Sequence, residues 1–234
     1  MADASNQKPS GSAQARGPIL SVVKTDPATF VDERTVKRAL SALQRGPVRF
    51  RRDKVIACEG DAADFIFMVV DGVVRSSRMY RNGSRSIVAF YLPGDLFGWS
   101  DQEYSLSVEA ASDAMVLFLK RDALMSVAAR ESRVANFLLD LATNELRRAH
   151  EHALLMNRSA KCRVATFLTD LSKKSGTAHV NLPMSHQDIA DYLGITIETL
   201  SRTITEFERL GLLVRKSART LMLRSELDFS HELV

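Results

Sequence analysis

The chain has 234 residues, a formal net charge of +4 and a hydrophobic fraction of 45%. That fraction supports packed cores and excludes general disorder. No apolar run reaches membrane-spanning length and no secretory leader pattern is present, so no membrane partner is expected and the expected location is cytoplasmic.

Residues 1–28 are rich in Ala, Ser, Gly, Gln and Pro without periodicity and read as a mobile tail. A β domain is expected over residues 29–120. It opens with Glu33–Arg45, where Val36, Leu40 and Leu43 predict a short amphipathic helix. From Val48 to Lys120, short β-like runs are punctuated by glycine. Asn82-Gly83 between two such runs is a strong hairpin signal. Evenly spaced short strands predict a small antiparallel barrel or sandwich, which suits a structural module and a sensor pocket equally. The two cysteines, Cys58 and Cys162, are isolated thiols. They make neither a disulfide framework nor the ligand set of an iron–sulfur cluster. A structural role and a redox-responsive one both remain open for them.

Residues 121–157 read as one long helix without Gly or Pro. Val134, Leu138 and Leu141 start an apolar seam, which Ala149, His152 and Met156 continue. A stripe on so long a helix needs a cover. A second copy of the same helix is the favoured one, giving a two-fold homodimer, with the chain's own barrel as the alternative.

Residues 158–234 form the last region. Lys161–Lys174 is an amphipathic helix carrying Val164, Phe167, Leu168 and Leu171. Between Arg158 and Arg224 there are 11 Lys+Arg against 6 Asp+Glu, whereas the rest of the chain has 21 against 22. The excess positive charge therefore sits where a phosphate-binding surface would need it. Ser185–Gly194 and Thr196–Leu213 predict two short helices joined by a tight turn. Ser185 and Asp188 suit a capping box, Met184 and Ile189 a hydrophobic staple, Gly194 a left-handed helix end and Thr196 the next cap. On the second helix Leu200, Ile204, Phe207 and Leu210 form the buried stripe, leaving Ile197, Glu198, Ser201 and Arg202 outside. That is the layout of a helix-turn-helix, whose second helix enters the major groove of double-stranded DNA; an ordinary surface helix with a charged face is the alternative. Glutamate accepts from cytosine N4, arginine forks onto guanine, and Ile197 suits a thymine methyl. Leu212–Arg224 reads as a β-hairpin wing. Gln187, Thr203, Lys216 and Arg219 are the phosphate-contact candidates.

This order of small β-barrel, long helix and winged helix-turn-helix resembles the CRP/FNR family of bacterial transcription regulators over residues 33–228. Gly60-Asp61, Gly72, Gly83, Gly94-Asp95 and Phe97-Gly98 look like that family's barrel skeleton. Glu198-Thr199-Leu200-Ser201-Arg202 looks like the E-x-x-S-R pattern of the FNR branch. The resemblance implies an α+β fold: a jelly-roll barrel of the cyclic-nucleotide-binding type, a dimerisation helix and a winged helix-turn-helix. It also implies that Glu198, Ser201 and Arg202 read a TTGA-N6-TCAA-like palindrome, with RNA polymerase as a further partner. The loop Arg81–Arg85 is the candidate surface for that enzyme. Cyclic-AMP binders of the family carry a Glu after the barrel's last turn glycine and an Arg-Ser or Arg-Thr pair further on. Here Gly98 precedes Trp99, and Asp101–Ser105 holds no arginine. No cysteine lies in residues 1–57 for an FNR-type cluster, and no histidine precedes His150. The expectation is a FixK-like regulator with no cofactor, an activator in microaerobic and nitrogen-fixation control. An effector-gated or thiol-redox-responsive member of the same family is the alternative, and a non-DNA regulatory module is the more distant rival. His179, His186 and His231 have no nucleophile or metal partner at ligand spacing, so no catalysis is expected.

Overall fold

The computed structural model describes residues 44–217 and 219–224. The expectations for residues 1–28, for the wing-tip residue Ala218 and for most of Glu33–Arg45 lie outside these. The last two residues of that expected helix are strand instead. Gln44 and Arg45 open β1 (Gln44–Phe50) and pair with Leu119 and Phe118 of β8 (Ala114–Lys120). A free sheet edge satisfies their backbone groups where an isolated helix end would not.

Between them run β2 (Val55–Ala57), β3 (Phe65–Asp71), β4 (Val74–Met79), β5 (Arg85–Tyr91), β6 (Leu96–Phe97) and β7 (Ser107–Ala110). They build two antiparallel four-stranded sheets, ordered β1-β8-β3-β6 and β2-β7-β4-β5. Aromatic rings fill the space between the sheets. Phe67 stacks on Phe97 at 5.1 Å, Phe118 meets Phe67 edge-on at 5.0 Å, and Tyr91 stacks on Phe97 at 4.9 Å. The β4–β5 hairpin turns at Asn82-Gly83. The Asn82 side-chain oxygen accepts the Ser84 amide at 3.0 Å, and Gly83 takes φ +81°.

The expected single helix is two: α1 (Arg121–Ala128) and α2 (Ser132–Leu155). Glu131 is extended at φ −120°, and its carbonyl accepts the Val134 amide at 2.9 Å, restarting the helix without Gly or Pro. The break lets Leu124 of α1 and Val134, Leu138 and Leu141 of α2 all pack on Ile66, Leu96 and Leu119 of the barrel. This corrects the expected dimer seam. Val134, Leu138 and Leu141 are buried by the chain's own barrel. His152 stacks on Tyr192 at 4.4 Å and lies 2.9 Å from its carbonyl, and Met156 packs against the core of the C-terminal unit. Of the six seam residues only Ala149 is exposed. The open face of α2 carries Ala135, Leu139, Ala142, Leu146, Ala149 and Ala153, alternating at four and three residues. Leu139 is 65% exposed and Leu146 58%.

After α2 come α3 (Ala160–Ser175), β9 (His179–Asn181), α4 (His186–Leu193), α5 (Ile197–Arg209), β10 (Leu213–Ser217) and β11 (Thr220–Leu223). Strand β9, which the sequence pattern does not mark, completes a three-stranded wing sheet in the order β10-β11-β9. One continuous core joins the barrel to this unit. Phe90 of β5 lies 5.2 Å from the Tyr192 ring, and Val73, Ile87 and Ala111 pack with Val164, Phe167, Leu168 and Leu193.

Gly72, between β3 and β4, has φ +79°, and a Cβ there would overlap the Asp113 carbonyl and come within 2.7 Å of the Ala114 Cα. Gly72→Ala is therefore expected to destabilise the fold by about 1–3 kcal/mol. Gly46→Ala, with nothing within 4 Å of its Cβ, should change stability by less than ~0.5 kcal/mol. Urea unfolding of the two variants checks both.

Candidate nucleic-acid interface

The local chemistry of the helix pair follows its caps. The Ser185 hydroxyl accepts the Asp188 amide at 3.0 Å and the Asp188 carboxylate accepts the Ser185 amide at 3.3 Å, a complete capping box. Met184 and Ile189 are both buried beside it. Gly194 ends α4 in the left-handed region at φ +60°. Thr196 caps α5 by accepting the Thr199 amide at 3.2 Å. Leu200, Ile204 and Phe207 are buried to within 2%. Leu210, expected in the same stripe, is 54% exposed. It is the C-cap residue, and the chain reverses at Gly211 (φ +73°), which carries its side chain off the buried face.

The structure brings Glu198, Ser201 and Arg202 together, exposed on the first two turns of α5. The Glu198 carboxyl is held below its ordinary pKa by hydrogen bonds from its own amide and the Thr196 hydroxyl, and by the Arg202 charge. It is an ionised acceptor at neutral pH. Ile197 is half-buried and packs against the core, so only part of its side chain faces out. Thr203 is corrected as a phosphate contact. It is 4% exposed, and its hydroxyl donates to the Thr199 carbonyl at 2.8 Å. The i−4 bond satisfies the hydroxyl where no solvent reaches it. Gln187, Lys216 and Arg219 are exposed, and the Gln187 amide donates to Asp191 at 2.7 Å.

One wing cation, Arg215, is not among the residues singled out in the sequence. Burial, and then the charges of Arg215 and Arg219, push the pKa of His186 down. Arg215 and Arg219 are both exposed on the wing, as cations that contact phosphates must be. The signal lay in Arg215, which the strand pattern assigned to the wing's stem.

Elsewhere the candidate sites diverge. Cys58 is exposed and Cys162 is buried near the N-terminus of α3, with Arg158 Nη1 3.7 Å from its sulfur; both are free thiols. The cavity at the barrel's inner end measures about 110 Å³ and is lined by Ser76, Tyr91, Trp99, Tyr104, Ser105 and Glu145, among others. Ligand pockets typically measure roughly 300–1,000 Å³. Among the described residues no group of three His, Cys, Asp or Glu is placed to hold a metal ion, and no helix is long and apolar enough to cross a membrane.

A jelly-roll domain coupled to a winged helix-turn-helix with an exposed reading helix defines a DNA-binding regulator. Comparison with known proteins agrees. Residues 47–131 match the cyclic nucleotide-binding domain and residues 162–227 the Crp-like helix-turn-helix domain. The chain is 43% identical to the nitrogen fixation regulation protein FixK of Azorhizobium caulinodans over 186 residues, 76% of this chain and 75% of that protein. It is 37% identical over 176 residues to the protein of the same name from Rhizobium meliloti, covering 74% of this chain and 80% of that one. The structure of FixK2 from Bradyrhizobium japonicum superposes with a TM-score of 0.74 at 39% identity, over 77% of this chain and 92% of that one. The chain belongs to the CRP/FNR family: it is a DNA-binding transcription regulator, FixK-like, and not an enzyme.

A side chain that binds phosphate adds to the salt dependence of DNA affinity, and one that is internally satisfied does not. Arg219→Ala is expected to lower the slope of log affinity against log salt by about 1. Thr203→Val should leave that slope unchanged. Binding titrations at four or five salt concentrations distinguish the two.

Proposed function

We propose that the protein is a homodimeric activator that reads a TTGA-N6-TCAA-like inverted repeat without cyclic nucleotide or iron–sulfur cluster. The observation that carries this reading is the joint exposure of Glu198, Ser201 and Arg202 at the start of α5, at the spacing that meets successive base edges. The relatives named as nitrogen fixation regulators support the same class of target.

Dimerisation through α2 is supported by its open face. Leu139 and Leu146 alternate with Ala142, Ala149 and Ala153 at the four-three spacing of a coiled-coil seam. Small residues between leucines let two helices approach closely. An isologous dimer on this face presents two reading helices to half-sites about one helical turn, ~34 Å, apart. RNA polymerase remains the further partner that an activator requires.

Independence from cyclic nucleotide is supported by the barrel. The charged residue among those lining its cavity is Glu145, whose carboxylate pairs with Arg148 at 3.4 Å, so the lining itself offers no cation to hold a phosphate. Tyr91 lies 3.3 Å from that carboxylate. Burial, and next the Glu145 charge, hold the pKa of Tyr91 well above the ordinary phenol value, so it stays protonated.

Arg202→Ala is expected to cost roughly 1–3 kcal/mol on the cognate repeat and to relax discrimination at one base pair of each half-site. Gel-shift titration against the repeat and its single-base variants measures this. Equal weakening on cognate and random duplexes would contradict direct readout.

A further inference from the structure

A buried ionic cluster joins the barrel to the first helix of the DNA-reading unit. Arg75, on β4, is 4% exposed, and its guanidinium makes five hydrogen bonds. Nε and Nη2 donate to Glu109 at 3.0 and 2.7 Å, and Nη2 also donates to Asp53 at 3.0 Å. Nη1 donates to both oxygens of Asp188 at 2.9 and 3.0 Å, across 113 residues of sequence. Arg85, on β5, extends the cluster, reaching Asp188 at 2.7 Å and Asp191 through Nε at 2.8 Å. Asp188 is the capping-box residue of α4 and is 1% exposed. The same carboxylate therefore starts the helix-turn-helix and ties it to the barrel.

We propose that this clasp positions the reading unit, holding α5 at the orientation from which a dimer engages two half-sites at one fixed separation. The inference rests on the inverted-repeat reading above. Covalently, the reading unit hangs from α2 through the short turn Met156–Ser159. The shared core around Phe90 and Tyr192 holds it by non-directional apolar contact, which leaves its angle to be fixed by the directional hydrogen bonds of the clasp. Simultaneous engagement of two half-sites depends on their separation matching that of the two reading helices. A swinging unit tolerates several spacers, and a clasped one selects among them. Truncating one partner of such a buried pair leaves the other charged and unpaired, so loosening is energetically steep. Arg75, Arg85, Asp188 and Asp191 are positioning residues in this account and touch no base.

The test uses full-length dimers and two readouts. The first is the distance between spin labels at the native Cys58 and at Leu210→Cys, in labelled chains diluted with unlabelled ones and without DNA. The second is affinity for TTGA and TCAA half-sites separated by four to eight base pairs, and for a single half-site. The unaltered clasp should give one narrow distance and a preference of about tenfold or more for one spacer. Arg85→Glu should broaden the distance and flatten the spacer preference to about threefold or less, with single half-site affinity unchanged. Arg85→Lys, which keeps the cation beside Asp188 and Asp191, should leave both close to the unaltered values. Arg85 is partly exposed, so its replacement tests the clasp without emptying the core as Arg75→Ala would. An unchanged distance and spacer profile in Arg85→Glu would overturn the proposal, as would tighter specific binding, which would mean that the clasp holds α5 away from DNA. If the unaltered protein binds no repeat while the distance still responds, the inverted-repeat reading fails and the clasp stands.

Discussion

A guanidinium keeps its proton under all ordinary conditions, so it can leave water only where fixed carboxylates replace its hydration. Arg75 meets that demand at the seam between two units of the chain, with Glu109 and Asp53 from the barrel and Asp188 from α4. Burial opposes its charge, but the three carboxylates outweigh it and raise its pKa above the ordinary value. Around this centre the apolar packing of Phe90, Phe167 and Tyr192 is continuous, so barrel and helix-turn-helix share a core as well as this ionic contact. The exposed face of α5 is what remains free once those contacts are made.

Helix α2 serves two masters, and its sequence shows how. The inner stripe, Val134, Leu138 and Leu141, is spent on the barrel. Glu145 and Arg148, which interrupt that stripe, also point inward: the Arg148 guanidinium donates to the Phe90 carbonyl at 2.8 Å, and Glu145 meets Tyr91. The outer stripe of leucines and alanines is left uncovered within one chain. A helix with apolar residues on two faces needs a cover for each, one of them intramolecular here, and under the proposed inverted-repeat reading the other is a second copy of α2.

The helix-turn-helix was legible because its boundaries are local. Ser185, Asp188, Gly194 and Thr196 each act within four residues, so their types and spacing carry the geometry. The hairpin at Asn82-Gly83 was readable for the same reason. The inner and outer stripes of α2 were harder to separate, since periodicity marks apolar faces without saying which one the barrel takes. Leu210 and Thr203 misled for related reasons. One falls just past the helix end, where the period stops, and the other hides its hydroxyl in a bond to its own backbone. The contact between Arg75 and Asp188 left no trace in any window, because it exists only after a barrel strand and a helix far along the chain have met.

The most direct measurement is selection of bound duplexes from a random pool by the untreated full-length protein at one stated salt concentration. The account predicts enrichment of TTGA and TCAA in inverted order at a single spacing, with no small molecule added. Enrichment of lone half-sites, or of nothing until a nucleotide or metal is supplied, would contradict it.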